Sequence, residues 1–321
     1  MDWGIIINAD DYGLSDGVSR AILHAHRHGI VTATSALPVA PAFARTAPWL
    51  DDAPDLAVGL HLAAVGEDPP LLGPGEIPTL VRHDGEFAAL SSVRMVRRLA
   101  RGQVDPADLE REFQAQYEAF VGATKRQPTH VDTHHNLHLW PSVGRVVARL
   151  AERWQVPVVR RPWSRRHGPT GIGVRSLSRR LEAELRHHDR RYPDLFFGID
   201  EGGRIDTGVL VGLLYGLRGS PAPRSGGIVE IAVHPGEADD PALARYPWPG
   251  ARRDLELEAL TSVAAREAVT AAGFTLTSPG AIATRSGSPL ADAGVDIDHP
   301  VHPADSPVEP PEVSASTVSE D

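Results

Sequence analysis

Cysteine is absent from all 321 residues. Disulfides and thiolate metal sites are therefore excluded, and any metal must be held by His, Asp or Glu. Long apolar runs are missing too. The longest apolar helix candidate, Gly208–Leu217, falls far short of the ~20 residues that span a bilayer. From Ser286 onward there is no Lys or Arg, while eight acids fall there: Asp292, Asp296, Asp298, Asp305, Glu309, Glu312, Glu320 and Asp321. Removing those eight from the formal net charge of −10 leaves the body at −2, which makes no electrostatic case for nucleic acid or an anionic membrane. Met1-Asp2-Trp3-Gly4 leads straight into an apolar strand without the basic region of a signal peptide, so a cytoplasmic location is expected. No G-x-G-x-x-G follows the first strand, where Asn8-Ala9-Asp10-Asp11 stands instead. There is no internal repeat.

An apolar content of 41% and a charged content of 23% describe an ordinary soluble globular protein. The run Ile5-Ile6-Ile7 predicts a buried strand over Gly4–Ala9, followed by a helix from Ser15-Asp16-Gly17 to His28 with Gly29 as its cap. Further strands are expected at Thr32–Val39, Leu56–Leu62, around the His-rich stretch, at Val158–Arg161, Leu195–Ile199, Gly227–His234 and near Thr275. Helices are expected from Pro41 to Leu50, at Ser91–Arg101, Pro106–Gly122, Ser142–Trp154, Leu177–Arg191, Gly208–Leu217 and Arg252–Ala272. Gly66–Phe87 is rich in Gly and Pro, has no clear period, and is expected to shape a substrate mouth. This alternation predicts an α/β fold with a parallel sheet, a (β/α) barrel of seven or eight strands with room for irregularity, over residues 1–285. A doubly wound open sheet is the alternative, weakened by the missing nucleotide loop. Residues 286–321 read as a disordered tail of Pro, Ser and acids.

Chemistry concentrates in Thr129–His138, where four of ten residues are His in a chain holding 15. In extended geometry His130, Asp132 and His134 share one face. A polar surface loop would explain one or two His, but not this density beside an apolar strand. Adjacent aspartates are commonly turn residues, and a lone His is commonly structural. Here, however, Asp10 and Asp11, His61, the His cluster and His234 all fall at strand ends that a barrel brings to one rim. One carboxylate and two imidazoles make a common divalent-ion site with open positions. Asp11, His61 and His134 are the candidate ligands, for one Mg or Zn ion. Asp10 would point differently and serve as base, with His234 as acid on the opposite side, suiting hydrolysis of an amide or ester. His24, His26, His28, His187 and His188 read as helix-surface residues. Two other readings stand: a non-haem Fe(II) oxygenase using the same ligand set, and a metal-stabilised sugar-binding protein without turnover.

The motifs N-A-D-D-Y-G (Asn8–Gly13), G-L-H-L (Gly59–Leu62), T-H-V-D-T-H-H-N-L-H-L-W-P (Thr129–Pro141) and E-I-A-V-H-P-G (Glu230–Gly236) resemble those of the YdjC-like carbohydrate deacetylases, over about residues 4–285. The resemblance implies a (β/α) barrel that uses a divalent metal to remove acetyl groups from N-acetylated sugars or glycoconjugates. It also implies Asp11, His61 and His134 as ligands, Asp10 as base, His234 as acid and Arg160 near the site. Tyr12, Asp132, His135 and His138 are expected to contact substrate or support the ligands. Asn136 stands where family members carry a His, and the acidic tail is no part of the pattern. Self-association into a homo-oligomer is left open.

Overall fold

The computed structural model describes residues 3–219 and 226–285. The expected tail therefore lies outside the described residues. The elements are β1 (Trp3–Tyr12), α1 (Asp16–His28), β2 (Ala33–Ala36), α2 (Phe43–Thr46), β3 (Ala57–Leu62), α3 (Ser92–Ala100), α4 (Pro106–Thr124), β4 (Val131–Thr133), α5 (Pro141–Arg153), α6 (Pro169–His187), β5 (Leu195–Phe197), α7 (Thr207–Gly219), β6 (Ile228–Val233), α8 (Arg253–Thr261), α9 (Val263–Ala271), β7 (Phe274–Leu276) and α10 (Pro279–Thr284). All strand pairs are parallel, in the order β4-β3-β2-β1-β6-β5, with β7 on the first residues of β1. Two isolated parallel bridges, Val131↔Val159 and Val158↔Arg191, carry the sheet from β4 round to the chain entering β5. The result is an irregular (β/α) barrel. Pro157 and Pro162 bracket the weakest stave, and a residue without an N–H cannot extend a ladder there.

Strand alternation divides two cores. Ile5, Ile7, Val58, Leu60, Val229, Ile231 and Val233 face the helices within the main core. The alternate positions face the barrel interior. At one end Ile6, Ala33, Val158 and Ile228 close on Ile282 of α10, a small apolar plug. Further along the same faces the side chains turn polar: Asn8, Asp10, Ser35, His61, Asp132, Arg160 and Glu230 are all buried. Gly59 belongs to this interior, because a Cβ there would meet the His130 ring at 2.4 Å.

Several sequence expectations are corrected. The Arg252–Ala272 helix is two helices, broken at Ser262 (ψ 150°), whose hydroxyl accepts from Ala265 N and caps α9. The Pro41–Leu50 helix is a short α2 followed by a 3-10 turn, Ala47–Asp52. The Gly66–Phe87 segment is largely docked rather than framing a mouth. Ile77, Leu80 and Phe87 are buried, and of this segment only Gly66, Glu67 and Asp68 border the cleft region. Among the described residues, no helix is long and apolar enough to cross a membrane.

Candidate metal and catalytic site

β1 ends in a distortion. Ala9 pairs with Thr34 and Tyr12 with Ala36, so β1 fits one extra residue into this stretch. Asp11 takes φ 72°, a left-handed conformation uncommon outside glycine. A regular strand sends neighbouring side chains to opposite faces. The bulge instead lets both Asp10 and Asp11 line one cleft of 410 Å³, together with His61, His134 and His234.

Asp11 Oδ1 lies 3.4 Å from His134 Nδ1 and 3.6 Å from His61 Nε2, and those two nitrogens are 3.4 Å apart. Ligands at ~2.1 Å from a tetrahedral ion stand about 3.4 Å from one another, so the three fit a common divalent ion. Asp11 Oδ1 is buried and has no hydrogen-bond partner, and a buried carboxylate oxygen without a donor is suited to a cation. The other carboxylate oxygen takes Arg253 Nη2 at 2.8 Å. Burial raises the Asp11 pKa, but Arg253 and His134 outweigh it and hold the carboxyl well below the ordinary range.

Behind the ligands, His61 Nδ1 bonds Asp132 Oδ1 at 2.7 Å, which leaves Nε2 for the ion. Burial disfavours the charged ring, but Asp132 more than compensates and raises the His61 pKa to about 9. Asp132 is itself held far below its usual value, because Arg160 and His61 overcome its burial. A second trio, Asp10, His61 and Asp132, is also compact. The Arg160 guanidinium already supplies the cation there: it meets Asp10 through two 2.7 Å bonds, Asp132 at 2.6 Å and Glu230 at 2.7 Å. Asn8 adds a 2.7 Å bond to Asp10.

His234 Nε2 stands 3.8 Å from Asp10 Oδ2. The expectation that these two flank the site from opposite sides is thus corrected, since β1 and β6 are neighbours in the sheet and face them toward each other. His134 opens a 3-10 turn in which His135 (φ 57°) and Asn136 (φ 53°) are both left-handed. That turn points His135 into the cleft, 4.2 Å from the His134 ring, whose charge chiefly lowers the His135 pKa to about 3. His138 is a buried strut, bonded to Thr133 Oγ1 at 2.7 Å and Arg160 O at 2.9 Å. Tyr12 is corrected outright. It belongs to the main core, fully buried, its hydroxyl donating to Thr46 O at 2.7 Å, and it does not line the cleft.

Sequence reading missed Glu230, Arg253, Glu256 and Trp248. Glu230 carried a signal, a lone acid inside an apolar strand. Burial drives its pKa up to about 7 despite Arg160. Arg253 and Glu256 fall in the expected Arg252–Ala272 helix without any motif to mark them, and only the docking of α8 brings them to the site.

The family profile described as YdjC-like protein matches residues 4–271. A chitooligosaccharide deacetylase of Salmonella schwarzengrund is 30% identical over 278 residues, covering 85% of this chain and 97% of that protein. A carbohydrate deacetylase of Geobacillus stearothermophilus is 39% identical over 155 residues, 48% of this chain and 58% of that protein. Among solved structures, an Enterococcus faecalis protein provisionally named for cellobiose-phosphate cleavage superposes with TM-score 0.72. It is 28% identical, and the match covers 88% of this chain and 100% of that one. On the span of the profile match and the full-length likeness to the Salmonella protein, the chain belongs to the YdjC-like protein family.

Proposed function

We propose that this chain is a metal-dependent carbohydrate N-deacetylase that hydrolyses the acetamide of N-acetylated saccharides or glycoconjugates to acetate and a free amine. The observation that carries the reading is the unpartnered, buried Asp11 Oδ1 facing two imidazole nitrogens, with Asp10 and His234 beside it. The deacetylase names of the relatives agree with it.

Asp11, His61 and His134 would hold the ion, and Arg253 offsets the Asp11 charge. A divalent ion there supplies Lewis-acid polarisation of the acetyl carbonyl and makes a nearby water more acidic. Asp10, held in place by Arg160 and Asn8, accepts the proton of the attacking water as its oxygen bonds the carbonyl carbon. When the C–N bond breaks, His234 Nε2 gives a proton to the departing amine. The 3.8 Å between Asp10 and His234 then allows the proton taken by one to be returned to the other, resetting the site. An oxygenase needs no such acid–base pair, and neither does a binding protein.

The test is acetate release from a panel of N-acetylated sugars after chelation and reloading, with Zn first and Mg second. Activity should vanish on chelation and return with the ion. Asp10→Asn should keep the ion and lose about 10²–10⁴ in kcat. Full activity in that variant, or no acetate from any sugar with any ion, overturns the reading.

A further inference from the structure

We infer that Glu256 is the positioning residue for His234, acting through the ring nitrogen turned away from the substrate; this rests on the deacetylase reading above. Glu256 lies one turn inside α8 and is fully buried. Its Oε1 accepts from Ile205 N at 3.3 Å, and its Oε2 accepts the backbone N–H of His234 itself. The same Oε2 stands 4.0 Å from His234 Nδ1, and that nitrogen is buried without any hydrogen-bond partner. Other charged groups near His234 are Asp10, 3.8 Å from Nε2, Arg253, whose Nη1 reaches the His234 carbonyl at 3.5 Å, and Asp11 across the cleft. Among the described residues, Glu256 is the carboxylate within ion-pair distance of Nδ1, while Asp10 faces Nε2.

A buried imidazole N–H left unpaired is costly, and a carboxylate one small ring rotation away is its natural acceptor. With Nδ1–H bonded to Glu256, the tautomer is fixed and Nε2 is presented to the cleft. The carboxylate also stabilises the imidazolium that must hold the proton before the amine leaves. A glutamate serving only as a backbone clamp would satisfy two N–H groups and leave Nδ1 indifferent. α8 therefore performs two tasks with residues three apart: Arg253 steadies the ligand Asp11, and Glu256 steadies the acid His234.

The experiment compares two substrates in the metal-loaded enzyme. One is an N-acetylglucosamine oligomer, whose amine must be protonated to leave. The other is 4-nitrophenyl acetate, whose phenolate leaves without a proton. Glu256→Gln should lower kcat for the oligomer by about 10–100-fold, with KM and metal content unchanged, and lower ester hydrolysis by less than about threefold. His234→Asn should show the same split, and the double variant should lose no more than the worse single one. Glu256→Asp, which keeps the charge, should recover part of the oligomer activity, and it carries the comparison if the Gln variant folds poorly. Equal losses on both substrates, or additive losses in the double variant, overturn the role of Glu256 alone. A wild-type enzyme that releases no acetate from any N-acetylated sugar overturns the underlying reading with it.

Discussion

His61 sits between two carboxylates with different jobs. Asp132 holds Nδ1 at 2.7 Å, while Asp11 Oδ1 stands 3.6 Å from Nε2. A ring whose pKa is raised to about 9 is charged at neutral pH without a metal, and a charged imidazolium cannot ligate. Binding of the proposed ion would therefore expel a proton, and its affinity should fall as pH drops below about 9, by about tenfold per unit for one proton. Calorimetric titration with Zn in two buffers between pH 6 and 8 should find about one proton released per ion. Asp132→Asn removes the partner that raises the pKa and fixes the tautomer. It should cost about 10–100-fold in metal affinity while flattening the pH dependence. Unchanged affinity in that variant would show that Asp132 serves Arg160 alone.

At the scale of elements, α4 explains how a long segment without regular structure stays ordered. Asp108, Glu112 and Gln116 recur every four residues and fall on one helical stripe, yet all three are buried. Asp108 accepts from Thr79 N and Oγ1, both at 2.7 Å. Glu112 accepts from Leu71 N and Leu72 N, and Gln116 bonds both N and O of Ala63. The stripe supplies backbone partners that a ladder would otherwise give. Burial raises the Glu112 pKa against these donors. Glu112→Ala would remove the acceptor of two part-buried N–H groups and should lower unfolding free energy by about 1–3 kcal/mol in urea titrations. Exposed Glu118→Ala on the same helix should cost less than about 0.5 kcal/mol.

For the whole molecule, the barrel is closed at one end by an apolar plug and opened at the other by a polar cleft. α10 supplies Ile282 to the plug, and Arg285 pairs with Asp194 just beyond it. The structural framework thus runs to residue 285, slightly past the family match at 271. Removal of 286–321 should leave kcat/KM for the N-acetylated sugar of the proposed reaction within about twofold and the melting temperature within about 2 °C. A rise of more than about threefold in KM with unchanged melting would instead place the acidic tail in substrate access.

Most of this was legible in the chain. The alternating βα pattern pointed to a parallel sheet with helices on its faces, because an apolar β-branched run such as Ile5–Ile7 is buried in such a sheet, and the strand count favoured a barrel over the open-sheet alternative. The strand-end placement of Asp11, His61, His134 and His234 predicted their convergence, because parallel strands bring their C-terminal ends to one rim. Tertiary structure alone decided the rest. Local pattern cannot foresee a bulge, so the placement of both Asp10 and Asp11 in one cleft came from the register of β1 against β2. It cannot tell a solvated polar stripe from one that holds a distant backbone, which is why Asp108, Glu112, Gln116, Arg253 and Glu256 were not singled out. Nor does membership of a motif assign a role: Tyr12, inside Asn8–Gly13, is a core strut. The four-His stretch reached the same end. Of its four rings only His134 joins the compact trio with Asp11 and His61: His130 packs under Gly59, the left-handed turn sets His135 on the cleft wall, and His138 is a buried strut.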